Sequence, residues 1–262
     1  AVAGCAGLNA HTKTSVCQAN LDLDTSAVPL VVDVKESIGK SSPGYIIVFV
    51  HGLDSWRGTW SSAASVLAKR GYRSVAVDLR GHGESPLGKR EDFGPKQLAA
   101  DVRAALNKAD LLQQGSKIVL IGHSMGGRVA MRYGAEYPDD LAALIIEDMD
   151  CVPRIEKALT SGFKNLTETE RRRHVEFSRS FRSWADCRAA LITFGYGENR
   201  IDNCRSETNP RIFPKDGGIW SSINPCAQKL AIDTVLGSDD GYVALAQIAA
   251  SNISGCSDFL VY

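Results

Sequence analysis

Three short apolar runs set the rhythm of the first half of the chain: Tyr45-Ile-Ile-Val-Phe-Val50, Ile118-Val-Leu-Ile121 and Leu141-Ala-Ala-Leu-Ile-Ile146. Each is unbroken and bounded by polar or glycine-rich sequence, as expected of strands covered on both faces in a parallel sheet. Val28 to Val34 and Arg73 to Leu79 read as two further strands. Between them the period changes. Trp60 to Arg70 reads as a helix capped by Gly71. After Pro95, Leu98, Val102, Ala105, Leu106 and Ala109 fall on one helical face, and after Gly127, Val129, Ala130 and Tyr133 do the same until Pro138. Strand and helix alternate, which predicts an α/β fold with a doubly wound, mostly parallel sheet over residues 28–150.

From 151 to 251 the pattern turns to helices and irregular polar stretches. Thr167 and Glu170 have capping-box spacing, and Phe177, Phe181, Trp184 and Leu191 form a helical stripe. A helical cap inserted after the Leu141 strand accounts for this region. Residues 1–27 read as an N-terminal extension, and 252–262 as the start of a further core strand, with a C-terminal strand and helix missing after it.

The composition narrows the function classes. Thirty basic residues balance thirty acidic ones, so no net field draws the chain to nucleic acid or to an anionic membrane. No apolar run is long enough to cross a bilayer. The seven cysteines are odd in number and show no C-x-x-C spacing, which argues against a zinc site and a full disulfide framework and for reduced thiols in the cytoplasm or an organellar matrix. Asn165-Leu-Thr and Asn252-Ile-Ser fit a glycosylation pattern that is short enough to arise by chance. The chain begins with Ala1, which is compatible with a removed targeting peptide.

The chemistry centres on Gly122-His-Ser-Met-Gly126, a G-x-S-x-G between the Ile118 strand and a helix. A strand that turns into a helix within about two residues needs glycines where Cβ atoms would collide, and it exposes the serine at the tip. Ser124 is thus the candidate nucleophile. The Tyr45 strand ends in His51-Gly-Leu-Asp54, where Gly52 lets the backbone approach a ligand. The amides of Leu53 and Met125 are the candidate oxyanion donors. His51 reads as a brace for this loop. In Arg80-Gly-His-Gly-Glu-Ser85, His82 and Glu84 read as loop scaffolding. Arg171-Arg-Arg173 reads as a solvated helix face.

With HGLD, RGHGES and GHSMGG in this order and spacing, the chain resembles the α/β-hydrolase superfamily. Within it, GHSMGGRVAMRYGAEYPDDLAALIIEDMD is similar to small esterases of acyl esters and acyl thioesters. The resemblance implies a triad acid 24 positions beyond the nucleophile, which is Asp148, with Asp150 in reserve and Glu147 pointing the other way along its strand. A serine rather than an aspartate at the elbow implies acyl transfer, with a small ester or thioester as substrate and no metal or organic cofactor. The family's general base, a histidine after the last strand, has no counterpart among His11, His51, His82, His123 and His174. His174, in the expected cap helix, is the remaining candidate, although a base must be oriented by its acid as well as reach the serine. The base is therefore unknown. Three readings follow: an esterase present only in part, a non-catalytic ligand-binding or structural subunit, and an active enzyme with a displaced base. In the second, a protein partner covers the open sheet edge.

Overall fold

The computed structural model describes residues 27–39, 44–113, 116–154, 179–205, 210–251 and 259–261. The capping box at Thr167, Phe177, the Arg171 to Arg173 run, both glycosylation patterns, His11, His174, Cys5, Cys17 and Cys256 lie outside these residues, as does nearly all of the expected N-terminal extension.

In chain order the core elements are β1 (Val32–Lys35), β2 (Tyr45–Val50), α1 (Ser61–Lys69), β3 (Ser74–Val77), α2 (Pro95–Lys108), β4 (Lys117–His123), α3 (Met125–Glu136) and β5 (Leu141–Glu147). The remainder comprises β6 (Ser180–Phe181), α4 (Trp184–Thr193), α5 (Glu198–Asn203), β7 (Ile212–Lys215), β8 (Gly218–Ser221), α6 (Pro225–Leu230), a π-helical stretch (Ala231–Leu236), α7 (Asp240–Ala250) and β9 (Phe259–Val261). The main sheet has the order β1-β3-β2-β4-β5-β9. All neighbours are parallel except β1, which is antiparallel to β3. This is the doubly wound, mostly parallel α/β sheet of the α/β-hydrolase fold, and β9 adds a strand beside β5.

The unbroken apolar runs are strands buried from both sides. Val48 and Val50 face one core together with Val75, Val77, Leu120 and Met131, whereas Ile47 and Phe49 face a second against Ala64 and Ala76. Several boundaries differ from the sequence reading. The first strand is shorter and lies further along, over Val32–Lys35. The Arg73 to Leu79 strand contracts to Ser74–Val77, although Asp78 N–H still donates to Val31 O at 2.9 Å. The helix after the elbow begins at Met125 rather than Gly127, since Ser124 alone completes the turn.

The region expected as a cap divides in two. Residues 180–223 carry their own core of Cys187, Leu191, Phe194, Tyr196, Ile201, Cys204, Ile212 and Ile223, and they add to the helices a three-stranded antiparallel sheet in the order β6-β8-β7. From 225 to 250, by contrast, Ala227, Ala231, Ile232, Val235, Ala244 and Ile248 pack into the main core. Within the stretch expected as a cap, the described residues 225–250 thus pack with the main core, and Phe181 of the expected helical stripe lies in β6. The cap rests on the loops at the carboxyl edge of the sheet, where ligands bind in such folds. Arg179 donates to the carbonyls of Gly83 and Ser85, the latter at 2.8 Å, and Gly83 N–H donates to Ser222 O at 3.2 Å.

Candidate active site

Ser124 sits between β4 and α3 with φ +51° and ψ −123°. A serine pays for this backbone region with about 1–3 kcal/mol of strain, and the surroundings hold it there. Its N–H donates to Glu147 O at 2.9 Å and its carbonyl accepts from Gly127 N–H at 2.8 Å. The approach of the neighbouring backbones explains the glycines. A Cβ on Gly122 would lie 2.3 Å from Gly126 O, and one on Gly126 would lie 2.5 Å from both Val50 O and His51 O. Gly52 is tight as well: its Cβ would stand 3.1 Å from Ser124 Cβ. The HGLD loop thus abuts the serine.

The orientation of that loop follows from one peptide. Gly52 C=O accepts from His51 Nδ1–H at 2.8 Å and from Ser55 N–H at 3.3 Å, while His51 Nε2 accepts from Leu79 N–H at 3.1 Å. The structure contains no cis peptide among the described residues. In a trans peptide the N–H points opposite to the C=O. With Gly52 C=O turned toward His51, the Leu53 N–H faces the other way. Met125 opens α3, so its N–H lies among the first helical amides that have no intrahelical acceptor. These are the two amides the sequence proposes for an oxyanion hole.

The histidines divide by environment. Both ring nitrogens of His51 are committed, which makes it a neutral brace. His82 donates from Nδ1 to Arg80 O at 3.1 Å, its Nε2 is buried with no partner among the described residues, and its ring centroid lies 5.2 Å from that of His51. Burial lowers each pKa to about 4, with the other ring reinforcing the shift at His82. Between about pH 6.5 and pH 4 the unfolded chain therefore binds more protons than the folded one, and stability falls as pH drops. Urea unfolding at pH 7 and at pH 4.5 should show a loss on the order of 2 kcal/mol per ring. A pH-independent midpoint across that window would contradict the burial of these rings.

Beyond β3, Asp78 accepts from Arg57 N–H at 2.7 Å, from the Arg57 guanidinium and from Glu84 N–H at 2.8 Å. Glu84 in turn holds Arg57 at 2.5 Å and pairs with Lys215 of the cap. Glu84 is thus part of a scaffold, and Asp78 and Arg57 are its unforeseen centre. Their signal in the sequence is weak, since 21 residues separate them.

Asp148 follows β5 directly with φ +50° and an exposed side chain, and no described residue hydrogen-bonds or pairs with its carboxylate. Asp150 is occupied locally: it accepts from Val152 N–H at 3.0 Å and approaches Arg128 at 3.5 Å and Arg154 at 3.4 Å. Glu147 contributes its carbonyl to Ser124 as described. The edge thus brings together Ser124, Leu53, Met125 and Asp148. Among the described residues no cluster of three or more His, Cys, Asp or Glu could hold a metal ion.

A family model described as serine aminopeptidase, S33, matches residues 41–161, the stretch that holds the HGLD loop, the elbow and Asp148. The sn-1-specific diacylglycerol lipase ABHD11 of Danio rerio is 33% identical over 142 residues, covering 54% of this chain and 40% of the lipase. A putative esterase/lipase of Haemophilus influenzae is 33% identical over 108 residues, covering 41% of this chain and 35% of that protein. A solved carboxylesterase structure from Nitrososphaera gargenis superposes with a TM-score of 0.56 at 20% identity, over 90% of this chain and 76% of the other. The chain has the α/β-hydrolase fold, and over residues 41–161 its sequence is similar to that family. The sequence likeness spans less than half of the length of the two curated relatives, whereas the likeness in fold covers 90% of this chain. Among the described residues, no helix is long and apolar enough to cross a membrane.

Proposed function

We propose that the protein is a serine hydrolase that cleaves a carboxylic ester or thioester through an acyl-enzyme on Ser124. The observation that carries this reading is the backbone of Ser124, a non-glycine residue held at φ +51° at the tip of a central strand and at the head of α3. Strain of this kind persists where a reactive side chain must be presented. In the reaction, Ser124 Oγ attacks the acyl carbonyl and its proton passes to a base. The Leu53 and Met125 amides hold the oxyanion, and the alcohol or thiol leaves with that proton. Water then releases the acid by the same steps in reverse order. Asp148 would orient the base, and its open carboxylate at the end of β5 supports that role over Asp150. The names of the curated relatives, a lipase and an esterase/lipase, favour esters as the substrate class.

A second reading, a hydrolase-fold protein that binds a ligand or builds a complex without catalysis, draws on the histidines. No described histidine is hydrogen-bonded or paired to Asp148, and His51 has both nitrogens engaged. Reaction with a fluorophosphonate probe followed by intact mass separates the two. Stoichiometric labelling that disappears in Ser124→Ala is the expected result and requires a base, with His174 the first residue to replace. A folded chain that takes up no probe would favour the second reading.

A further inference from the structure

The residue after the candidate oxyanion donor is itself unusual. Asp54 has φ +54°, is only 2% exposed, and lies in a loop that the cap overhangs. Its carboxylate is gripped from distant parts of the chain. Oδ1 accepts from the Tyr196 hydroxyl at 3.3 Å, and Oδ2 accepts from Gln228 Nε2 at 2.5 Å and pairs with the Arg200 guanidinium. Its backbone carbonyl accepts from Arg211 Nη1 at 3.4 Å. Arg200 also stacks over the Tyr196 ring, 4.7 Å from the centroid. Burial and the adjacent Asp54 carboxylate keep the Tyr196 hydroxyl protonated, well above the usual tyrosine range, so it serves as a donor.

We propose that Asp54 is a positioning residue that clamps the loop bearing the Leu53 amide to the cap through Arg200 and Tyr196, so that docking of the cap and formation of the oxyanion hole are one event. The inference deepens the hydrolase reading and rests on it. Gly52 C=O is fixed by His51 and by Ser55 N–H, and Asp54, on the far side of Leu53, is where residues from the cap reach the turn. A single backbone carbonyl of Asp54 held weakly at 3.4 Å would not suffice to pin the turn. The buried carboxylate adds an ion pair and two hydrogen bonds, all supplied by residues 142 to 174 positions away. Burying a carboxylate is costly unless it is paired and hydrogen-bonded. The stable arrangement is therefore the docked one, in which every oxygen has its donor. With the cap undocked, Asp54 keeps only Gln228 of the main body, loses Arg200 and Tyr196, and the Leu53 amide loses its fixed direction.

An amide that serves the transition state more than the ground state acts on kcat rather than on KM. Arg200 offers the mildest test because its side chain is half exposed, so replacing it does not hollow a core. With 4-nitrophenyl butyrate as probe, Arg200→Met is expected to lower kcat about tenfold and Asp54→Asn about tenfold to a hundredfold, with KM changed by less than about threefold. Arg200→Lys should recover most of the rate. Hydrogen–deuterium exchange on the same 262-residue proteins supplies a readout that does not depend on turnover. Faster exchange should appear together in the segments around residues 51–55 and 196–203 in both variants. Unchanged exchange at 51–55, or a rise in KM with kcat preserved, would overturn the clamp. Linked exchange in a chain that hydrolyses no ester would instead uphold the clamp and sink the hydrolase reading.

Discussion

Gly126→Ala is expected to cost more than about 3 kcal/mol and to leave no Ser124 that reacts with a fluorophosphonate. The added Cβ would stand 2.5 Å from the carbonyl oxygens of Val50 and His51, and both belong to backbone at the end of the central strand β2. Side chains can rotate out of such a clash, but strand backbone paired on both sides cannot. Relief must come from α3 moving away from β2, which would carry the elbow with it. Gly127→Ala is the matched control. Its nearest neighbour is the Met149 side-chain Cβ at 3.0 Å, so a loss of about 1 kcal/mol is expected there. Urea unfolding of the two variants tests the contrast. Equal midpoints would mean that the elbow does not depend on backbone contact at Gly126.

Ser124 itself should show opposite effects on activity and stability. Ser124→Ala and Ser124→Gly both remove the hydroxyl, and each should lower ester turnover by roughly 10³–10⁶-fold, the range seen when an acyl-transfer nucleophile is deleted. They should part company in stability. Alanine retains a Cβ at φ +51° and keeps the strain, whereas glycine adopts that backbone freely. Ser124→Gly is thus expected to be about 1 kcal/mol more stable than Ser124→Ala after the entropic penalty of glycine is included. Thermal unfolding of the pair measures this directly. A glycine variant no more stable than the alanine variant would place the strain elsewhere, and it would weaken the argument that the elbow exists to present a nucleophile.

The acid sensitivity expected of the buried His51 and His82 rings and the clamp at Asp54 are linked through one loop. His51 holds Gly52 C=O from the sheet side, and Asp54 is held from the cap side. Protonation of His51 would put a second proton on Nε2, which accepts from Leu79 N–H. The loop should therefore loosen in acid together with the loss of global stability, and hydrogen exchange at 51–55 below about pH 5 would record it.

The elbow was legible because everything that makes it is local. A strand of buried β-branched residues, two glycines and a helix lie within twenty residues, and the steric reason for Gly122 acts against its close neighbour Gly126, although that for Gly126 comes from Val50 and His51. The same holds for the HGLD loop and for the alternation that specifies a parallel sheet. His51 as a brace could be read from its place beside Gly52, although its partner on Leu79 could not. What lay beyond sequence reasoning depends on distant partners. The change to helices and irregular polar stretches after residue 151 suggested one cap, yet it took the fold to place Ala231, Val235 and Ala244 in the main core. Asp54 stood in plain view inside a quoted motif, but its chemistry is set by Tyr196, Arg200 and Gln228. By itself, then, the sequence determined the sheet, the elbow and the identity of the candidate nucleophile, because short-range sterics and periodicity encode them. Only the tertiary structure decided that residues 225–250 join the main core and what grips the HGLD loop, because a buried charge acquires its partner through the fold and not through its neighbours along the chain.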